Sequence, residues 1–260
     1  MKLENKVALV TGAGVGIGKA TALELAKEGA DIAVNYLTSE KGAIEVVNEI
    51  TKSGRNAFAI RADVTDEDQV RDMVQETVDR LGSLDILVNN AGIIERTPLE
   101  DLKIQEWDRV MDINLRGPFL CTLYAGRYMI ERGGGNIVNI SSIAALNPDI
   151  YMGAYSVSKA ALNMFTEVTA VEWAGHNIRV NAVCPGPVET YMIRKAFNTP
   201  ELLEARLEAI PNHRMSQPEE IAKVVSFLAS DDASNITGEH IVVDGASSRS
   251  MYFLINRLSK

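Results

Sequence analysis

Cysteine and histidine are scarce in this chain of 260 residues: two of the former, Cys121 and Cys184, and three of the latter. The cysteines have no CxxC spacing, and His176, His213 and His240 lie far apart, so neither a disulfide framework nor a zinc module is expected and no metal is assigned. Both cysteines read as small buried hydrophobes. No Pro- or Ser-rich stretch divides the chain, and no internal repeat is present. No apolar run approaches the ~18–20 residues that cross a bilayer. The opening MKLENKVALVTG has an apolar run of only four residues, short of a secretory leader's core. Basic residues are also in deficit: 26 Lys and Arg against 35 Asp and Glu give a net charge of −9. That balance argues against a general nucleic-acid or anionic-membrane partner. These absences leave a soluble, cytoplasmic, enzymatic domain as the expectation.

The apolar fraction of 46% and charged fraction of 23% are those of a globular chain. As one unit it would bury roughly three quarters of its unfolded surface. Short β-branched runs at 6–10, 31–36, 56–62, 84–88, 136–140, 178–183 and 240–244 alternate with helical patterns near 17–28, 40–53, 66–81, 104–131 and 153–174. The strands are apolar runs rather than strict alternations, which suits a parallel sheet covered on both faces. Repeated βα units predict a single-domain, doubly wound α/β fold of about seven strands with helices on both faces. Gly133–Gly135 reads as a helix stop before a strand.

Thr11-Gly12-Ala13-Gly14-Val15-Gly16-Ile17-Gly18 lies where the first strand turns into the first helix. Glycine there permits a tight turn, close approach of backbone to a pyrophosphate, and close packing of helix on sheet. The helix N-terminus adds unpaired N–H groups for the phosphates. At the end of the second strand an Asp would bind ribose hydroxyls and repel a 2′-phosphate. This chain instead reads Asn35-Tyr36-Leu37-Thr38-Ser39, with no carboxylate before Glu40. Thr38, Ser39 and Lys41 can donate to a phosphate there, so NADP(H) is preferred, with NAD(H) as the alternative.

Two tyrosines have a lysine four residues on, Tyr155/Lys159 and Tyr191/Lys195. Only Tyr155 lies thirteen residues after a serine, Ser142, that follows a predicted strand. With these features in order, the chain resembles the short-chain dehydrogenase/reductases over nearly its whole length, and the resemblance implies a Rossmann-like fold. TGxxxGxG matches Thr11, Gly12, Gly16 and Gly18; NNAG matches Asn89, Asn90, Ala91 and Gly92. Asn114, Ser142, Tyr155 and Lys159 match the catalytic tetrad. Asp63 and Val64 match the adenine-contacting pair, while Pro185, Gly186, Val188 and Thr190 match the segment that holds the nicotinamide. Val15, Ile17, Tyr36 and Ser39 complete the expected cofactor set. Asn90 is expected to approach the cofactor and Asn89 to be structural.

The residue types explain the chemistry. A spacing of four puts Tyr155 and Lys159 on one helix face. Tyrosine ordinarily titrates near pH 10, so a useful phenolate at neutral pH must be favoured by about 4 kcal/mol. A nearby ammonium and an oxidised nicotinamide ring are expected to lower it. Tyr155 is then the general acid/base, Ser142 positions the reacting oxygen, and Lys159 also holds the nicotinamide ribose. In the family the residue matching Asn114 anchors a proton-relay water.

The segment 190–216 resembles the family's substrate loop. Glu95, Asn147, Asp149, Glu189 and Tyr191 form a polar set suited to a hydroxylated substrate. A sugar or polyol is therefore the favoured substrate, in the manner of glucose 1-dehydrogenase. The alternative is a 3-oxoacyl-carrier-protein reductase, whose relatives place arginines before the fifth strand and at the end of the catalytic helix. Here those places read Glu131-Arg132-Gly133 and Trp173-Ala174-Gly175-His176. A further alternative is a dinucleotide-binding protein without activity. The tail 246–260 carries Met251, Tyr252, Phe253, Leu254 and Ile255 in succession, which suggests docking on the domain or on a second subunit. A homo-oligomer, taken as a tetramer, is expected. Asp244-Gly245-Ala246 departs from the family's DGG, and alanine there would be strained if that residue takes positive φ.

Overall fold

The computed structural model describes residues 1–190 and 199–249. Seven parallel strands form one sheet in the order β3-β2-β1-β4-β5-β6-β7. They are β1 (Val7–Val10), β2 (Asp31–Tyr36), β3 (Ala57–Arg61), β4 (Ile86–Asn89), β5 (Gly135–Ile140), β6 (Ile178–Pro185) and β7 (His240–Val243). The intervening helices are α1 (Gly16–Lys27), α2 (Glu40–Lys52), α3 (Glu67–Leu81), α4 (Ile104–Met111), α5 (Gly117–Arg132) and α6 (Gly153–Trp173). Two further helices, α7 (Pro200–Glu208) and α8 (Pro218–Ala229), precede β7.

The apolar strand runs are explained by the two layers they serve. Ala8 and Val10 of β1, Ile32 and Val34 of β2, and Ile86 and Val88 of β4 pack on one face with Leu25 of α1 and Ile221, Val225 and Leu228 of α8. The residues between them, Leu9, Ala33 and Leu87, face the other layer with Val70 and Met73 of α3 and Leu120 and Met129 of α5. Each fully buried Leu, Ile or Met contributes roughly 1.5–3 kcal/mol. Helix ends follow local chemistry. Asp66 accepts from the Gln69 N–H to cap α3, and Gly133 closes α5 in the left-handed region at φ 86°.

The predicted long helix over 104–131 is interrupted. Residues Asp112–Arg116 form a π-turn between α4 and α5, and Asn114 sits within it. The π-turn adds a residue to the helical register, which periodicity of apolar positions alone does not reveal. Strand order reverses between β1 and β4, so the crevice beyond their C-terminal ends is where a doubly wound sheet binds its ligand.

Candidate active site

The glycine turn is held from three sides. Thr11 Oγ1 accepts the N–H of Asn90 at 2.9 Å and of Ala91 at 3.0 Å. Asn90 Nδ2 donates back to the carbonyls of Thr11 (2.8 Å) and Gly12 (3.2 Å). A side chain on Gly18 would collide with Asn90 Nδ2 and the Gly12 carbonyl, so glycine is what lets α1 start this close to the turn. Asn90 thus reaches the cofactor site through the backbone it supports. Asn89 is buried and donates to Thr122 and Asn139, a structural position as expected.

Asn35, read from the sequence only as the absence of a carboxylate, is a hub. Its Oδ1 accepts the Gly12 N–H at 3.1 Å, and its Nδ2 donates to the carbonyls of Ile60 and Ala62. A polar residue near the end of a buried apolar strand was the available signal. Val15 gives α1 no side-chain cap, and the first turn contains no acidic residue. The opening amides of α1 and their positive dipole end therefore suit the pyrophosphate of a dinucleotide.

The remaining expected cofactor residues rim the same crevice. Tyr36 ends β2 and its hydroxyl donates to Glu40 at 3.3 Å. Asp63, just past β3, accepts from the N–H and hydroxyl of Thr65, and Val64 packs against Gly117. After β6, Gly186 donates to the Val243 carbonyl at 2.9 Å and Val188 bridges to Ser216. Thr190 then returns to the glycine turn: a Cβ built on Gly16 would lie 3.5 Å from its Cγ2.

The four expected reactive residues meet beyond β4 and β5. Asn114, fully buried, pairs with the backbone of Ile93 through two 2.9 Å bonds. Its other amide hydrogen goes to Ser158 Oγ at 3.2 Å, and Ser158 donates to the Tyr155 carbonyl at 2.7 Å. The π-turn is thereby tied both to the loop after β4 and to the first turns of α6. Lys159 is 4% exposed, and its Nζ donates to the carbonyl of Ile140, the last residue of β5, at 2.8 Å. That ammonium lies 5.8 Å from the centroid of the Tyr155 ring. A Cβ on Gly92 would lie 3.2 Å from Asn114 Oδ1 and 3.6 Å from Lys159 Nζ, which fixes all three at one point. Ser142, in extended conformation after β5, accepts the Ala144 N–H at 3.1 Å, leaving its own hydroxyl hydrogen to donate.

Electrostatics departs from the sequence expectation at Tyr155. Burial pushes its hydroxyl above the ordinary tyrosine value, the neighbouring Ser142 hydroxyl opposes that shift, and Cys184 adds to it. Burial acts on Lys159 in the other sense, drawing the ammonium down to about 8. Desolvation is the largest cause at both residues, and it disfavours both charged forms. Tyr155 is therefore a protonated phenol, suited to donate. Cys121 and Cys184 are fully buried, and burial raises both thiols, Cys121 to about 12.

The expected substrate residues are looser. Glu95 lies within 3.5 Å of the Thr97 hydroxyl. Asn147 and Asp149 are exposed; Asn147 donates to the Ser248 carbonyl at 3.1 Å, a link to the C-terminal turn that sequence spacing does not reveal. Glu189 accepts from Gln217 Nε2 at 2.7 Å. Tyr191 lies outside the described residues, as do 250–260 of the tail.

Residues 12–247 match the family model described as "Enoyl-(Acyl carrier protein) reductase". The chain belongs to the short-chain dehydrogenase/reductases. As a member it is an oxidoreductase acting on carbonyl and alcohol groups. It is 42% identical over 244 residues to a 3-oxoacyl-[acyl-carrier-protein] reductase of Synechocystis, covering 94% of this chain and 97% of that one. It is 45% identical over 240 residues to the corresponding enzyme, FabG, of Staphylococcus aureus, covering 92% and 97%. Among solved structures, levodione reductase superposes with a TM-score of 0.92 at 34% identity, covering 95% of this chain and 99% of that one. The acetoin dehydrogenase of Enterobacter cloacae gives 0.86 at 39%, covering 94% and 95%.

Proposed function

We propose that this protein reduces 3-oxoacyl thioesters with NADP(H). The observation that carries the reductive step is the pairing at Tyr155: a phenol that burial pushes above its ordinary value, beside a serine hydroxyl with a hydrogen to donate. A ketone oxygen between them receives two hydrogen bonds, and Tyr155 transfers its proton to that oxygen as it becomes an alkoxide. The nicotinamide, when bound, supplies the hydride. Lys159, whose ammonium lies 5.8 Å from the Tyr155 ring, then stabilises the phenolate left there. Both amide hydrogens of Asn114 are engaged with Ile93 and Ser158, so its share in returning protons falls to its backbone in the π-turn. The Gly12–Gly18 turn would hold the pyrophosphate, Asp63 and Val64 the adenine, Tyr155 and Lys159 the nicotinamide ribose, and Pro185 to Thr190 the nicotinamide. The thioester substrate is supported by the Synechocystis and Staphylococcus relatives.

A sugar or polyol dehydrogenase is the second reading. It is favoured by a single arginine, Arg132, beside Glu131 ahead of β5, and by the net charge of −9, both poor provision for an acidic carrier protein. A panel of 3-oxoacyl thioesters on coenzyme A and on carrier protein, sugars and polyols, each with NADPH/NADP⁺ and NADH/NAD⁺, separates the two. Turnover of thioesters with NADPH is expected; oxidation of polyols alone would overturn the proposal. A homotetramer is part of the same reading, supported by Phe119, Val157, Met164, Val168 and Val171 exposed along α5 and α6. A monomeric mass in sedimentation would refute it.

A further inference from the structure

We infer that Arg61, on β3, reads the 2′-phosphate of the NADP(H) adenosine ribose, a contact supplied by the strand next to the β2 turn. The inference rests on the NADP(H) reading above and names a residue that enforces it. In the parallel register of β2 and β3, Arg61 stands beside Tyr36, the last residue of β2. Its Nε donates to the Leu37 carbonyl at 3.4 Å, which sets the guanidinium across the chain as it leaves β2.

Three neighbours locate that point in the site. Ser39 Oγ lies against Gly14, so the Leu37–Ser39 segment borders the pyrophosphate turn. Asp63 and Val64, the expected adenine edge, begin two residues after Arg61 on the same chain. A ribose joining pyrophosphate to adenine must cross between them, where Arg61 lies. The local charges also converge: Glu40 and Arg61 both act on the Tyr36 hydroxyl, in opposite senses.

Chemistry favours phosphate over hydroxyl there. Arg61 is exposed, and among the described residues no carboxylate pairs with it. Its two terminal nitrogens are therefore available as a planar fork, the geometry that grips phosphate oxygens in pairs. Ser39 offers a hydroxyl, and Lys41 a second exposed cation. Glu40 opposes an anion, but its carboxylate already accepts the Tyr36 hydroxyl. Sequence reasoning restricted to the β2 turn finds no arginine, because the arginine arrives through strand pairing.

The test is binding, without turnover. Dissociation constants for NADPH and NADH are measured by calorimetry for the wild type, Arg61→Ala and Arg61→Lys. The wild type is expected to bind NADPH more tightly than NADH. Arg61→Ala should weaken NADPH by about 10- to 100-fold and leave NADH within about twofold. Arg61→Lys, keeping charge without the fork, should fall between. The steeper loss of NADPH binding with added salt should disappear in Arg61→Ala. An unchanged NADPH preference in Arg61→Ala, or equal weakening of both nucleotides, overturns the inference while leaving the cofactor reading intact. Equal binding of both nucleotides by the wild type overturns the cofactor reading, and the role of Arg61 with it.

Discussion

The reacting groups and the substrate rim, a few residues apart in sequence, are built in opposite ways. Asn114, Lys159 and Ser158 are buried and bonded to the ends of strands and to the first turns of α6. Glu95, Asn147 and Asp149 sit on connecting loops; Glu95 and Asp149 bond to their own sequence neighbours Thr97 and Ile150, and Asn147 to the C-terminal turn. The difference teaches where this protein keeps its chemistry and where it keeps its selectivity. Buried groups on regular elements fix a geometry and shift pKa values; exposed loop groups can change without disturbing either.

The sharpest break in that comparison is Lys159→Met. Turnover should fall on the order of a thousandfold, read as kcat at saturating cofactor. The same variant tests the electrostatics. Lys159 titrates at about 8 in the folded protein against 10.5 ordinarily, so between those values the unfolded chain binds the extra proton. Stability of the wild type relative to Lys159→Met should therefore rise as pH increases from 7 to 10. A flat difference in denaturant midpoints across that range would contradict the burial argument.

Asn114→Ala comes next. It leaves the Ile93 N–H and carbonyl without their partner, which should cost about 1–3 kcal/mol in denaturant unfolding. Displacement of α6 against the loop after β4 should lower turnover about a hundredfold. On the rim, Glu95→Gln should move KM by about threefold or less with kcat near the wild-type value. A collapse of kcat there would erase the distinction between the two regions.

The smallest effect concerns the turn after β7. Ala246 does take the left-handed conformation, at φ 69°, following Gly245 at φ 60°. The Asp244 carboxylate compensates by accepting the N–H groups of Ala246 and Ser248 at 2.9 and 2.7 Å. Ala246→Gly should stabilise by about 1 kcal/mol, a rise of about 2–4 °C in Tm.

Legibility in the sequence follows the range of the interactions. The Tyr155/Lys159 pair, the glycine turn, the strand runs and the strain at Ala246 depend on local spacing, and all are where that spacing put them. Asn35 and Arg61 depend on the register of β2 against β3, which no local pattern encodes. Charge pairing at Tyr155 is visible in sequence, whereas the desolvation that raises its hydroxyl depends on what closes over the residue. The π-turn at Asn114 escaped for a related reason: it leaves the apolar rhythm of α4 and α5 nearly intact.

The central claim, that Tyr155 is the proton donor in this site, is tested most directly by Tyr155→Phe under single-turnover conditions, with NADPH affinity measured on the same protein. The account predicts that hydride transfer to a 3-oxoacyl thioester slows on the order of a thousandfold or more while the NADPH dissociation constant rises by no more than about tenfold, the loss of one ribose hydrogen bond. Hydride transfer at the wild-type rate would contradict it.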